Sequence, residues 1–222
     1  MKIGSDVVRP LMRSVEDMPI HVRQIADMFL KHSRRQELTG NHIDALDRID
    51  GGWRTDADWT PNSLVDAGNG NRPDPSAYLT DDYIAQHLQR FEGGATRFYT
   101  QANLDEYGPG NRGTTFVFPT SEVDDIIAEA NGDPGRLGEL LGLGENFFTG
   151  GPIVRADFTP DELSSGGFRL PSGNEGGAND KWIPSGYLPE GIPEVVFDVH
   201  PDATKTDPSV GGTWGSFTEF AP

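Results

Sequence analysis

The sequence predicts an α+β fold: a small mixed or antiparallel sheet core flanked by short helices, with an N-terminal helical appendage. Three observations lead there. The runs ATRFYT at 95–100 and TTFVF at 114–118 are rich in β-branched and aromatic residues and read as strands. Segments with helical apolar spacing lie among them, without the strict β-α-β alternation of a parallel sheet. Gly 28 and Pro 17 fill about a fifth of the 222 residues, so loops are many, while a 35% hydrophobic share still supplies a core.

The chain divides into a helical segment at 1–49, a linker or long loop at 50–76 and the α+β body at 77–222. In the first segment Asp17 can cap, Pro19 suits a first turn, and Met18, Val22, Ile25 and Phe29 recur at helical spacing. A basic run at 31–35 suits the negative pole of that helix. A shorter helix is predicted at 42–49, before Gly51-Gly52. From 50 to 76 the composition turns to Gly, Asp, Asn, Pro and Trp without periodicity, the mark of a boundary.

In the body, Thr80 caps a helix with Ile84, Leu88 and Phe91 on one face, ended by Gly93-Gly94. Strand 95–100, a helical turn at 102–107 and a glycine-rich turn at 108–113 lead to strand 114–118, closed by Pro119. Ser121 and Asp124 have capping-box spacing for a helix with Val123, Ile126, Ile127 and Ala130 inward. A short helix at 134–141 and strands at 152–158 and 168–170 follow. After a long polar loop at 171–191 comes a strand at 193–199, and the tail to 222 reads as loop.

The charge is uneven. Residues 1–36 carry seven Lys/Arg against four Asp/Glu, while the remainder carries eleven against thirty-one, within a net charge of −17. An acidic body repels polyphosphate at long range, which counts against a broad nucleic-acid-binding face. With no Cys, disulfide and thiolate chemistry are excluded. No apolar run approaches the ~18 residues of a membrane span, and no signal peptide is visible, so a soluble protein is expected.

Gly108, Gly110 and Gly113 match the letters of a dinucleotide fingerprint, but a strand follows them where that motif needs a helix. A turn is the better reading. The histidines, His21, His32, His42, His87 and His200, are scattered, so no metal site is predicted. The loop at 171–189 mixes flexible glycines with Asn174, Glu175, Asn179, Trp182 and Tyr187, groups that hydrogen-bond or stack. It leads into Glu194 at the start of a core strand. A carboxylate there can bind a sugar hydroxyl or support positive charge on an anomeric carbon, and a plain strand-edge Glu is the bland alternative. The run 171–198 is thus the expected active region.

Arg97 on a strand, Thr114-Thr115 opening an aromatic strand and Glu194 after a long loop resemble the arginine–serine–glutamate arrangement of ADP-ribosyltransferases. The stretch from about 73 to 199, with FVFPTSEVDDIIAEANGDP, SGNEGGANDKWIP and GIPEVVFDV, is similar to C-terminal toxin domains of bacterial polymorphic (Rhs or contact-dependent) toxins. The resemblance implies NAD as substrate, with transfer of ADP-ribose or plain hydrolysis. It implies Arg97 on a phosphate of NAD, Thr114 or Thr115 shaping the nicotinamide pocket, and Glu194 supporting the oxocarbenium-like transition state. Phe98, Tyr99 or Phe116 would flank the nicotinamide ring, Asn174 and Trp182 would also bind NAD, and the loop at 171–189 that carries them would correspond to the target-recognition loop.

The family's Ser-Thr-Ser is Gly113-Thr114-Thr115 here, and Ile192 stands where arginine-modifying members carry Glu or Gln. That disfavours arginine as acceptor. A protein acceptor and a cognate immunity protein are the implied partners, with secretion or delivery into a target cell. Two readings stand beside this one: a ribonuclease-type toxin using Glu194, Arg97 and a histidine, and a non-enzymatic acidic module that binds a basic protein.

Overall fold

The structure, a computed structural model, describes residues 52–179, 181–199 and 215–221. The helices expected at 18–29 and 42–49 lie outside the described residues. The rest is α+β, as expected. Five strands form one antiparallel sheet: β1 (Ala95–Thr100), β2 (Thr114–Pro119), β3 (Ile153–Phe158), β4 (Val195–Asp198) and β5 (Ser216–Phe220), in the order β4-β2-β1-β3-β5.

The described residues also form six helices: α1 (Pro61–Ala67), α2 (Asp81–Gln89), α3 (Gln101–Tyr107), α4 (Val123–Ala130), α5 (Pro134–Leu140) and α6 (Pro160–Ser165). Strand alternation gives the sheet two apolar faces. On one, Phe98, Phe118 and Ile153 pack against Val123, Ile126 and Ala130 of α4 and Leu137 and Leu140 of α5. On the other, Ala95, Tyr99, Val117, Ala156, Val195 and Phe197 meet Phe91, Leu104 and Leu163.

Several elements differ from the sequence expectation. Within the expected linker at 50–76, Thr60 caps α1, Pro61 occupies its first turn, and Trp53 bridges to Leu79. Trp53, Leu64, Tyr78 and Leu79 bury themselves with Leu170 of the body. The capping box expected at Ser121–Asp124 is not formed. The chain leaves β2 through a 3-10 turn at Thr120–Glu122, which places Ser121 in helical backbone, where an N-cap needs extended backbone. A capping box does form at Thr159 and Glu162, opening α6.

The strand expected at 168–170 is reduced to one bridge, Arg169 to Val196. The tail expected as loop contains β5, which pairs with β3 over five residue pairs.

Pairing between β1 and β2 is short. Only Ala95↔Pro119 and Thr96↔Phe118 pair, against six residue pairs between β1 and β3 and four between β2 and β4. Beyond Thr96 the two strands part. Side chains, not the backbone ladder, fill the gap.

Candidate functional site: a cleft at the parting of β1 and β2

Arg97 is the first residue of β1 past the paired stretch. Its Nη1 donates to the Phe116 carbonyl at 3.0 Å and to Thr115 Oγ1 at 3.1 Å. Its guanidinium also lies 4.9 Å from the centre of the Tyr99 ring. The Tyr99 hydroxyl donates to the Pro109 carbonyl at 2.8 Å, so at 3.0 Å it accepts the Thr115 hydroxyl proton. That leaves Thr115 Oγ1 to accept from Arg97. The guanidinium is therefore held from behind by a fully buried threonine and a nearly buried tyrosine. Among the described residues its Nε and Nη2 meet no acceptor, and no carboxylate pairs with it.

Above this gap opens a cleft of about 620 Å³, open solvent at its mouth included. Arg97, Phe116 and Phe118 line it from the sheet, Leu141–Leu143 from the end of α5, and Gly177, Asn179, Lys181 and Trp182 from the polar loop. Glu194, one residue before β4, completes the lining.

The polar loop is fixed in place by its own side chains. Glu175 accepts from the Ser172 hydroxyl and from the backbone N–H groups of Ser172 and Gly173, each at 2.9 Å. Asn179 Nδ2 donates to the Gly142 carbonyl at 3.2 Å, tying the loop to the opposite wall. Trp182 donates from Nε1 to the Pro171 carbonyl at 3.1 Å, and the Arg72 guanidinium sits 4.3 Å over its ring. Gly173 has φ +78°, and a Cβ there would meet both the Trp182 ring and Arg72.

Glu194 keeps partial contact with solvent, yet its carboxyl lies where the cleft walls exclude most water. Desolvation pushes its pKa up to about 8; the Glu175 charge adds to the rise and Arg97 opposes it. With the Glu194 carboxyl favoured in its neutral form, Arg97 and Lys181 are the charges among the lining side chains at neutral pH. The cleft is a cationic hollow in an acidic protein.

The sequence-predicted residues are distributed unevenly about this cleft. Arg97, Phe98, Phe116, Trp182 and Glu194 all line it. Phe98 is 1% exposed, stacked on Phe118 and tilted against Phe220, so Phe116 is the half-exposed ring. Thr115 and Tyr99 stand behind Arg97 and do not line the cleft. Thr114 donates to the Asn111 carbonyl at 3.2 Å, away from it. Asn174 clips the loop to Gly70 and Arg72 through both ends of its amide.

Lys181 was missed by sequence reasoning. Its signal was its place beside Trp182, as a lysine in a body short of cations. Arg155, on β3, is paired to Asp157 at 2.8 Å. Among the described residues there is no group of three or more His, Asp or Glu that could hold a metal, and no helix long and apolar enough to cross a membrane.

No family model, curated protein or solved structure matches the chain.

Proposed function

We propose that this cleft carries out an NAD-consuming reaction, ADP-ribosyl transfer or NAD hydrolysis, of the kind performed by bacterial toxin domains. The observation that carries this reading is the meeting of Arg97 and Glu194 in one cleft: an arginine with free donors and a desolvated carboxyl, with Phe116 beside them. The pyrophosphate of NAD takes the open Nε and Nη2 of Arg97 in a fork suited to phosphate. The nicotinamide ring lies toward Phe116. As the bond from the ribose anomeric carbon to the ring nitrogen breaks, its electron pair neutralises the ring and positive charge moves to the sugar. The Glu194 carboxylate stabilises that charge. A water or acceptor oxygen then bonds to the anomeric carbon and gives up its proton.

The ribonuclease reading places a histidine beside Glu194 and Arg97. Among the described residues the histidine is His87, which is 2% exposed and meets Glu194 through its backbone carbonyl.

Nicotinamide release from NAD tests the reading. Wild-type protein is expected to release it, with kcat/KM rising toward a midpoint near pH 8 as Glu194 ionises. Glu194→Gln should lower kcat by about 10²–10³. No release by the wild type, with or without cell lysate as a source of acceptor, would sink the reading.

A further inference from the structure

We propose that His87 is a positioning residue for Glu194: its buried ring holds the Glu194 carbonyl and so fixes where that side chain leaves the backbone. The need for such a residue follows from the sheet. β4 is an edge strand, paired to β2 on one side only. On the other side Val196 exchanges both backbone hydrogen bonds with Arg169, at 2.8 and 2.9 Å. Glu194, two residues earlier, presents its N–H and C=O on that same side, where no strand continues. Its N–H donates to the Gly186 carbonyl at 2.8 Å. Its carbonyl meets His87 Nε2 at 3.0 Å.

A carbonyl only accepts, so Nε2 carries the proton and Nδ1 is the bare nitrogen. Nδ1 is buried without a partner, a cost that an apolar side chain would avoid. The Nε2 bond is the polar contact that accounts for an imidazole here. Tyr187 packs edge-on at 4.9 Å, and Tyr83 and Phe91 lie along α2 and its end at 6.3 and 6.0 Å. Tyr83, one turn before His87, donates to the Ser185 carbonyl at 2.9 Å. One helix face therefore grips the loop exit at two points, and Glu194 is the second.

The proposal rests on Glu194 as the working carboxyl, but its test does not depend on NAD. In the full chain, nitrogen NMR of labelled histidine, assigned by the loss in His87→Gln, should show His87 protonated at Nε2 and bare at Nδ1 at neutral pH. Carbon NMR of labelled glutamate should show one carboxyl, lost in Glu194→Gln, that titrates apart from the others. That titration should persist in His87→Gln, whose amide can still donate, and join the ordinary glutamates in His87→Phe. In the activity assay His87→Phe should lose about a hundredfold in kcat with little change in KM, and His87→Gln should recover most of it.

An Nδ1-protonated ring, or a Glu194 titration unchanged in His87→Phe, would overturn the proposal. If His87→Phe does not fold, the tautomer and the His87→Gln titration decide. A correct tautomer and titration in a wild type that releases no nicotinamide would leave the positioning intact and remove the NAD reading alone.

Discussion

Arg97 owes its usefulness to what does not touch it. A guanidinium placed near 35 acidic residues would ordinarily find one, yet here two neutral oxygens and an aromatic ring hold it, and its remaining donors face the cleft. Neutral anchors fix position without cancelling charge, so the cation stays available to an anion. Thr115→Val removes the hydroxyl link between Arg97 and Tyr99 while keeping the side chain's shape. It should raise the Kd for inorganic pyrophosphate about tenfold by calorimetry, at a stability cost near 1 kcal/mol, and Thr115→Ser should restore the binding. Glu194 poses the opposite problem. Its pKa is about 8 in the fold against 4.5 for the ordinary group, so folding favours the neutral acid. Stability from this group is fully present below pH 4.5 and is lost as pH rises through about 8. Glu194→Gln keeps the neutral state at every pH. Its Tm should match the wild type in mild acid and exceed it increasingly toward pH 8, which thermal denaturation across that range would show; a constant difference would contradict the burial argument.

The helices and strands supply the frame, and α5 shows how firmly. Glycine inside a helix usually costs about 1 kcal/mol relative to alanine. Gly138 lies inside α5, but a Cβ there would collide with the Gly144 carbonyl, where the chain doubles back toward the cleft wall at Gly142 and Leu143. Gly138→Ala should therefore destabilise by about 1–3 kcal/mol, opposite in sign to the propensity rule, as read from urea unfolding. Such tertiary contacts also mark the limit of what local pattern reveals. β1, β2 and α3 were legible because aromatic and β-branched runs sit between glycine and proline stops. β5, Ser-Phe-Thr-Glu-Phe, escaped because it is an edge strand with exposed alternate residues in a polar tail. α6 is barely more than a turn, with Leu163 alone buried, and its capping box was the signal passed over. At the site, Arg97 and Glu194 were named from the resemblance, one on β1 and one just before β4, and the structure brings both to one cleft. The parting of β1 from β2 was not, because strand sequences report pairing propensity and not where pairing stops. Thr115 and Tyr99 stand behind Arg97, since sheet register decides which face each one reaches.

Taken as a whole, the molecule sets a cationic hollow inside an anionic surface. The net charge of −17 repels a dinucleotide over distances comparable to the Debye length, about 30 Å at 0.01 M salt and 10 Å at 0.1 M. On the proposed reading Arg97 attracts that ligand only at short range, within the cleft. Salt therefore acts on the two forces unequally. Raising it from about 10 to about 100 mM removes most of the long-range repulsion and leaves most of the short-range attraction. The association rate of NAD, or of pyrophosphate as a probe, should rise over that interval, whereas electrostatically steered anion binders slow down. The dissociation rate should change little. In Arg97→Ala the salt response of association should persist while the bound state is lost, because the repulsion belongs to the surface and the attraction to one residue. Stopped-flow measurements on both proteins separate the two. A wild-type association rate that falls with added salt would mean that the cleft's own field reaches beyond the acidic rim, and that substrate is drawn in by the site and not merely admitted to it.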